Sequence, residues 1–167
     1  MKTVQRLAAL AALMLSLSMT TPASANPMWF NMRLGPAIGA SNSITQFGLE
    51  FDFGIEVIKN GSVIIPLGFG FGNNNVSFAI PVGFQYDIQI PGVKNFYLYP
   101  RISIGYVASF PSGNDSQHFF LIDPGFGLKY VFNNRFQVGF EPFRLPIAIG
   151  EYTAIQYRLF FYGGLRF

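Results

Sequence analysis

The chain has 167 residues, of which 17% are aromatic and 11% are charged, and it contains 18 Gly, 11 Pro and no Cys. This composition excludes a disordered protein, and it is unusual for a soluble domain, in which about 25% of residues are charged. The lack of cysteine excludes disulfides, thiol catalysis and cysteine-ligated metals.

The first 25 residues have the pattern of a secretory signal peptide. Basic residues precede an apolar stretch from Leu7 to Met19, and Ala23-Ser24-Ala25 is a small-residue cleavage site. The stretch is too short for a membrane helix, which needs about 20 residues. We therefore predict cleavage between Ala25 and Asn26, leaving one domain over residues 26–167. That domain has nine basic and eight acidic residues, which gives no reason to expect a nucleic-acid partner.

After residue 25 the dominant period of the sequence is two. Between Phe47 and Val57, every odd position is large and apolar, and every even position is Gly, Glu or Asp. A helix would distribute those acids around its circumference, whereas a strand places them on one face. The pattern therefore predicts a strand with one apolar face and one polar face.

Eight segments share this alternation and predict eight strands. In chain order they cover about residues 29–39, 47–57, 63–72, 76–88, 95–108, 119–132, 136–143 and 152–167. Turn-forming residues separate most of them, including Asn60-Gly61, Pro91-Gly92 and Asn133-Asn134. A loop over residues 144–151 is predicted before the last strand. With both chain ends periplasmic, the turns near 59–62, 89–95 and 133–135 are periplasmic, and the loops near 40–46, 73–75, 109–118 and 144–151 are extracellular.

The charged residues test this arrangement. None of the 17 charges after residue 25 lies on the apolar face of a predicted strand. The opposite face carries Arg33, Glu50, Asp52, Glu56, Asp87, Arg101, Asp123, Lys129, Glu141, Arg158 and Arg166. The turns and loops carry Lys59, Lys94, Asp115, Arg135, Arg144 and Glu151. Since a Lys or Arg facing lipid at mid-depth costs about 2–4 kcal/mol, this sorting predicts an all-β, eight-stranded, antiparallel up-and-down transmembrane β-barrel.

The inward charges are expected to form a network that fills the lumen. An eight-stranded barrel is only wide enough for side chains, and buried charges must be paired. The predicted lumen charge network consists of Arg33, Glu50, Asp52, Glu56, Arg101, Asp123, Lys129, Glu141 and Arg158. An alternative is that the same residues line a narrow path for ions or small solutes.

The last eleven residues end in Phe and carry apolar side chains at alternate positions, with Gly163 as a departure. They resemble the C-terminal signature of outer-membrane β-barrel proteins, in particular the class of small OmpA-like and OmpX-like barrels. The resemblance implies an assembly signal formed by Tyr157, Leu159, Phe161, Leu165 and Phe167, read by the barrel assembly machinery. It also implies a location in the outer membrane of a Gram-negative bacterium, in contact with lipid, lipopolysaccharide and other envelope proteins.

Chemistry-bearing motifs are few, and we predict no enzymatic activity, no cofactor and no metal site. The chain has one histidine, His118, in the segment Asp115-Ser116-Gln117-His118. Some eight-stranded barrels modify lipid A with a His-Ser pair and an acidic partner, so a lipid A-modifying enzyme centred on His118 is one alternative. Another is a secreted lipocalin-like barrel with its faces reversed. The favoured role is structural or protein-interacting, without catalysis.

Overall fold

The computed structural model describes residues 26–41, 43–113 and 115–167. The predicted signal peptide lies outside the described residues. Within the described part of the chain, no helix is long and apolar enough to cross a membrane.

The described residues form one antiparallel sheet of ten strands. In chain order they are β1 (Met28–Ser41), β2 (Gln46–Ile58), β3 (Gly61–Gly72), β4 (Asn75–Tyr86), β5 (Ile88–Gln89), β6 (Phe96–Pro111), β7 (Gln117–Phe132), β8 (Phe136–Arg144), β9 (Ile147–Ile149) and β10 (Thr153–Arg166). Sequential long strands pair with each other, and β10 also pairs with β1, so that the sheet closes. The predicted up-and-down barrel with a wall of eight strands is confirmed.

The two short strands correct two predicted boundaries. The strand predicted over residues 76–88 ends at Tyr86, and β5 follows as a separate pair of residues on the edge of β6. The loop predicted over residues 144–151 is wrong, because β9 pairs with both β7 and β10 and continues the wall that β8 begins. Pro146, which cannot donate to the ladder, lies in the short break between β8 and β9.

The barrel has two distinct ends. At the terminus end, Met28 and Phe167 exchange two backbone hydrogen bonds, of 2.8 and 2.9 Å, which join the first strand to the last. At the opposite end, here called the loop end, β1, β3, β6 and β9 are each followed by a short connection, whose described residues are 43–45, 73–74, 112–113 with 115–116, and 150–152. Asn residues with positive φ form several tight turns. Asn133 and Asn134 have φ of 47° and 57°, as a type I′ hairpin turn requires.

The two faces of the wall differ sharply in chemistry. Most of the large apolar side chains are exposed on the outside, and Phe136 and Phe161 are each 55% exposed. The inward face instead carries buried charged and polar groups, among them Arg33, Asp52 and Asp123. This arrangement is the reverse of a lipocalin-like barrel, so that alternative is wrong. An apolar outer surface is the one that a lipid bilayer requires.

Candidate functional site

The site with the densest chemistry is a buried cluster of ionic side chains in the middle of the lumen. It contains three arginines and four carboxylates from five strands. Its members are Arg33 from β1, Glu50 and Asp52 from β2, Arg101 from β6, Asp123 from β7, and Glu141 and Arg144 from β8. We call these seven residues the lumen cluster. Their charged side chains are at most 2% exposed.

Arg33 and Arg101 form the first half of the lumen cluster. Arg33 donates from Nε to Asp52 at 2.5 Å and from Nη1 to Glu141 at 2.6 Å. Arg101 donates from Nη1 to the same Asp52 oxygen at 2.8 Å. One carboxylate therefore accepts from two guanidinium groups, which ties β1, β2, β6 and β8 together across the lumen.

Arg144 forms the second half. Its Nε donates to both carboxylate oxygens of Asp123, at 2.8 and 2.9 Å, and its Nη1 donates to Glu50 at 2.5 Å. Nη2 of Arg144 also donates to Asp123. Charge-assisted, multidentate contacts of this kind are the strongest hydrogen bonds in proteins.

The sequence pattern predicts Arg144 in a loop, and this prediction is wrong, because Arg144 is the last residue of β8. A bulge in β8 at Pro142 sets two residues of β8 against one residue of both β7 and β10. Glu141 before the bulge and Arg144 after it therefore both point inward, although they are three positions apart. An extra residue in a strand resets the alternation of faces, which the simple period of two does not reveal.

Two tyrosines that are absent from the predicted network complete the packing around Arg33. Arg33 donates from Nη1 to the Tyr99 hydroxyl at 3.1 Å, and its guanidinium carbon lies 4.3 Å from the ring centroid of Tyr162. Both rings are buried and meet edge to face. They lie at the inward positions of their strands, so the alternation itself was the available signal.

The other predicted network residues lie apart from the lumen cluster. Lys129 pairs with Asp87 nearer the terminus end, and the Lys129 ammonium lies 5.6 Å from the Tyr97 ring centroid. Glu56 is part-exposed and lies 3.6 Å from Arg166. The structure therefore brings six of the nine predicted residues into one cluster and leaves Lys129, Glu56 and Arg158 outside it.

Arg158 lies on the loop-end side of the lumen cluster and makes different contacts. Its Nε and Nη2 both donate to the amide oxygen of Gln156, at 3.3 and 3.1 Å. Above it a cavity of about 300 Å³ opens at the loop end. Here this cavity is called the vestibule.

A separate polar group lies on the outer wall near the loop end. His118 is exposed, and its Nδ1 contacts the Tyr106 hydroxyl while its Nε2 lies 3.2 Å from the Ser116 hydroxyl. The His118 and Tyr106 rings are stacked, with centroids 5.8 Å apart. Among the described residues, no group of three or more His, Cys, Asp or Glu side chains is arranged to hold a metal ion.

No protein-family model matches this chain, and no curated protein sequence matches it. Solved structures do match. The N-terminal β-barrel domain of Pseudomonas aeruginosa OprF aligns with a TM-score of 0.62 and 16% identity, covering 86% of this chain and 98% of that domain. Neisserial surface protein A (NspA) aligns with a TM-score of 0.61 and 13% identity, covering 87% and 98%. The outer-membrane enzyme PagL aligns with a TM-score of 0.51 and 15% identity, covering 80% and 97%.

At sequence identities of 13–16%, the similarity to these structures shows a shared fold. The chain has the fold of the small eight-stranded outer-membrane β-barrels, as its resemblance to OmpA-like and OmpX-like barrels predicts. The closed wall and the apolar outer face agree with a location in the outer membrane. The matched proteins differ in role, since one of them is an enzyme. The role of this chain must therefore be argued from its own residues and not from its fold.

Proposed function

We propose that this chain is a non-enzymatic integral barrel of the outer membrane with a structural or protein-interaction role in the cell envelope. The lumen cluster carries the proposal. Three arginines and four carboxylates cross-link the wall from the inside, and they are buried from both ends of the barrel. Charges used in this way stiffen a closed wall and leave no wide aqueous path.

Partners follow from the surfaces of the barrel. The apolar outer face suits outer-membrane lipid and lipopolysaccharide, and the C-terminal strand suits the barrel assembly machinery during biogenesis. The loop-end connections are short, with Thr45, Asn74 and Glu151 among their exposed residues. Such loops provide a small polar rim for other envelope proteins rather than a large adhesive surface.

Planar-bilayer recording tests the closed lumen. We expect the refolded wild-type barrel to insert without conductance steps, and the double variant Arg144→Ser, Glu50→Ser to conduct. Steady conductance of the wild type would favour the alternative, a narrow pore for ions or small solutes.

A deletion strain tests the structural role in cells. Deletion of the gene should weaken the envelope, measured as sensitivity to detergent and bile salts. Unchanged sensitivity would remove the structural role.

A second candidate function rests on the outer-wall group of Ser116, His118 and Tyr106. Ser116 lies within hydrogen-bond reach of His118, and the other imidazole nitrogen of His118 contacts a third group, Tyr106. A nucleophile, a base and an orienting group in this order can transfer an acyl group. His118 would take the Ser116 proton as the oxygen attacks an acyl ester, and would return it to the departing alcohol. Water would then hydrolyse the acyl-serine, with His118 again as the base, which releases the fatty acid and regenerates Ser116. The outward position near the loop end suits an ester of a membrane lipid, such as lipid A.

Mass spectrometry of lipid A tests this second function. Cells that overproduce the wild-type barrel should contain a lipid A species that has lost an acyl chain, and Ser116→Ala and His118→Ala should each abolish it. Asn73→Ala, in a different loop-end connection, is the control that keeps the species. Identical lipid A in deletion and overproducing strains would leave the non-enzymatic role as the proposal.

A further inference from the structure

The lining of the vestibule contains two chemical kinds of side chain. Ser77, Ser109 and Gln156 contribute hydroxyl and amide groups, and Val107, Phe119 and Leu121 contribute apolar surface. These three apolar residues belong to a buried cluster that also includes Ala79, with Ala148 packed against it. A cavity of about 300 Å³ is at the lower end of the range in which small-molecule sites fall.

Arg158 provides a positive charge for this cavity. It lines the vestibule, and it also lines a smaller void beneath, next to Glu50 and Phe160. It therefore lies between the open cavity and the buried lumen cluster. Two of its N–H groups are used by Gln156, and a guanidinium group has five.

The contacts of Arg158 differ from those of the three arginines in the lumen cluster. Each of those three lies within 3.0 Å of at least one carboxylate oxygen. Arg158 has no carboxylate within 4.0 Å among the described residues. The lumen cluster has one more carboxylate than it has arginines, which balances the charge of Arg158 at longer range without occupying its N–H groups.

Neutral polar groups hold Arg158 in place. The Gln156 amide nitrogen donates to the Ile44 carbonyl at 3.1 Å and lies 3.4 Å from the Gln46 amide oxygen. Ser77 donates to the same Gln46 oxygen at 3.0 Å. The Gln46 amide nitrogen is buried and has no hydrogen-bond partner among the described residues. A chain of amides and a hydroxyl therefore fixes the guanidinium group while leaving further donors beside the cavity.

We propose that the vestibule binds a small organic carboxylate with a compact apolar part. The carboxylate lies on the free N–H groups of Arg158, and the apolar part packs against Val107, Phe119 and Leu121. A planar guanidinium group matches a carboxylate in a bidentate manner. The site is independent of the proposed envelope role, because it needs neither conduction through the lumen cluster nor a protein partner.

Titration of the refolded barrel in detergent micelles with benzoate tests this proposal, with NMR shifts or calorimetry as the readout. Benzamide, which has the same shape and no charge, is the matched ligand. We expect saturable benzoate binding and at least about tenfold weaker benzamide binding, since a charge-assisted pair contributes more than a neutral one. Equal binding of the two ligands, or no saturable benzoate binding, would overturn the proposal.

Four variants locate the site. Arg158→Gln should weaken benzoate binding at least about tenfold, and Arg158→Lys should lie between it and the wild type. Arg135→Gln removes the same charge from an exposed turn at the terminus end, and it should bind like the wild type. Ala148→Trp fills the vestibule without changing its charge and should abolish binding even if Arg158→Gln fails to fold. Unaltered benzoate affinity in Ala148→Trp would place any binding elsewhere.

Discussion

Arg144 and Glu50 are 94 residues apart in the chain, and Nη1 of Arg144 donates to Oε1 of Glu50 at 2.5 Å across the lumen. The contact joins β8 to β2, which are separated around the wall by β1 and β10. Backbone ladders connect only neighbouring strands, so a contact of this kind restrains the cross-section of the barrel. The lumen cluster can therefore be understood as an internal frame for a closed sheet.

Removing the charge of Arg144 should destabilise the barrel strongly. Arg144→Met leaves Asp123 and Glu50 as buried carboxylates without their closest cation. Breaking a buried ion pair from one side costs about 3–5 kcal/mol. We expect a loss of this size in the free energy of unfolding, measured by urea titration of the barrel refolded into phospholipid vesicles.

The control for this prediction is Arg135→Met, which removes the same charge from an exposed turn. It should change the free energy of unfolding by less than about 0.5 kcal/mol. If Arg144→Met were as stable as this control, Arg144 would not be part of the internal frame.

Arg144 also shows where the sequence is informative and where it is not. Charge sorting on a period of two identifies the inward positions of Arg33, Glu50 and Asp123 because their strands are regular there. It fails at Arg144 because the bulge at Pro142 adds one residue and shifts the alternation. A bulge is defined by how a strand pairs with its neighbours. The alternation of apolar and polar residues within one strand therefore does not show where a bulge lies.

Which charged residues pair with each other in the lumen could not be predicted from the sequence either. Glu56 and Arg158 have the same inward parity as Glu50, but Glu56 lies at the terminus end, and Arg158 faces the vestibule. An odd or even position in a strand predicts which face of the wall a side chain lies on. It does not predict the position of that side chain along the barrel axis, or its partner. Height along the barrel follows from the register between strands, which the tertiary structure determines.

Replacing Arg33 with lysine should not be conservative. Arg33 contacts Asp52, Glu141 and the Tyr99 hydroxyl at once, and its planar group stacks over Tyr162. An ammonium group is a point charge and cannot reproduce this fork. We expect Arg33→Lys to lower the free energy of unfolding by about 1–3 kcal/mol, as loss of a hydrogen bond to a charged group does.

The comparison for Arg33→Lys is Arg166→Lys. Arg166 is part-exposed and lies 3.6 Å from Glu56, and exposed pairs contribute at most about 1 kcal/mol. The same urea titration should therefore rank Arg166→Lys well above Arg33→Lys in stability. The reverse order would mean that the planar geometry of Arg33 is not important.

Two glycines on paired strands offer a steric test of the packing around Tyr162. A Cβ atom at Gly139 would overlap the Tyr162 ring, whereas a Cβ atom at Gly163 would have no heavy atom within 4 Å. Overpacking a buried site costs about 1–3 kcal/mol, and Gly to Ala in an open strand position gains about 0.5–1 kcal/mol. Gly139→Ala should therefore lower the melting temperature and Gly163→Ala should raise it or leave it unchanged, with loss of heat-modifiable gel migration as the readout.

Removal of Phe167 should separate assembly in the cell from stability of the folded barrel. Phe167 is the last residue of the predicted assembly signal, and its backbone closes the wall through two hydrogen bonds to Met28. Phe167→Ala keeps those backbone bonds and removes the aromatic ring. If the ring serves recognition by the barrel assembly machinery, Phe167→Ala should accumulate unassembled in the periplasm, yet refold in detergent like the wild type.

Phe136→Ala is the matched control, because it removes an exposed ring at the same end of the barrel outside the signal, and it should assemble normally. Equal assembly of both variants would contradict the signal, and failure of Phe167→Ala to refold would assign its ring to stability instead.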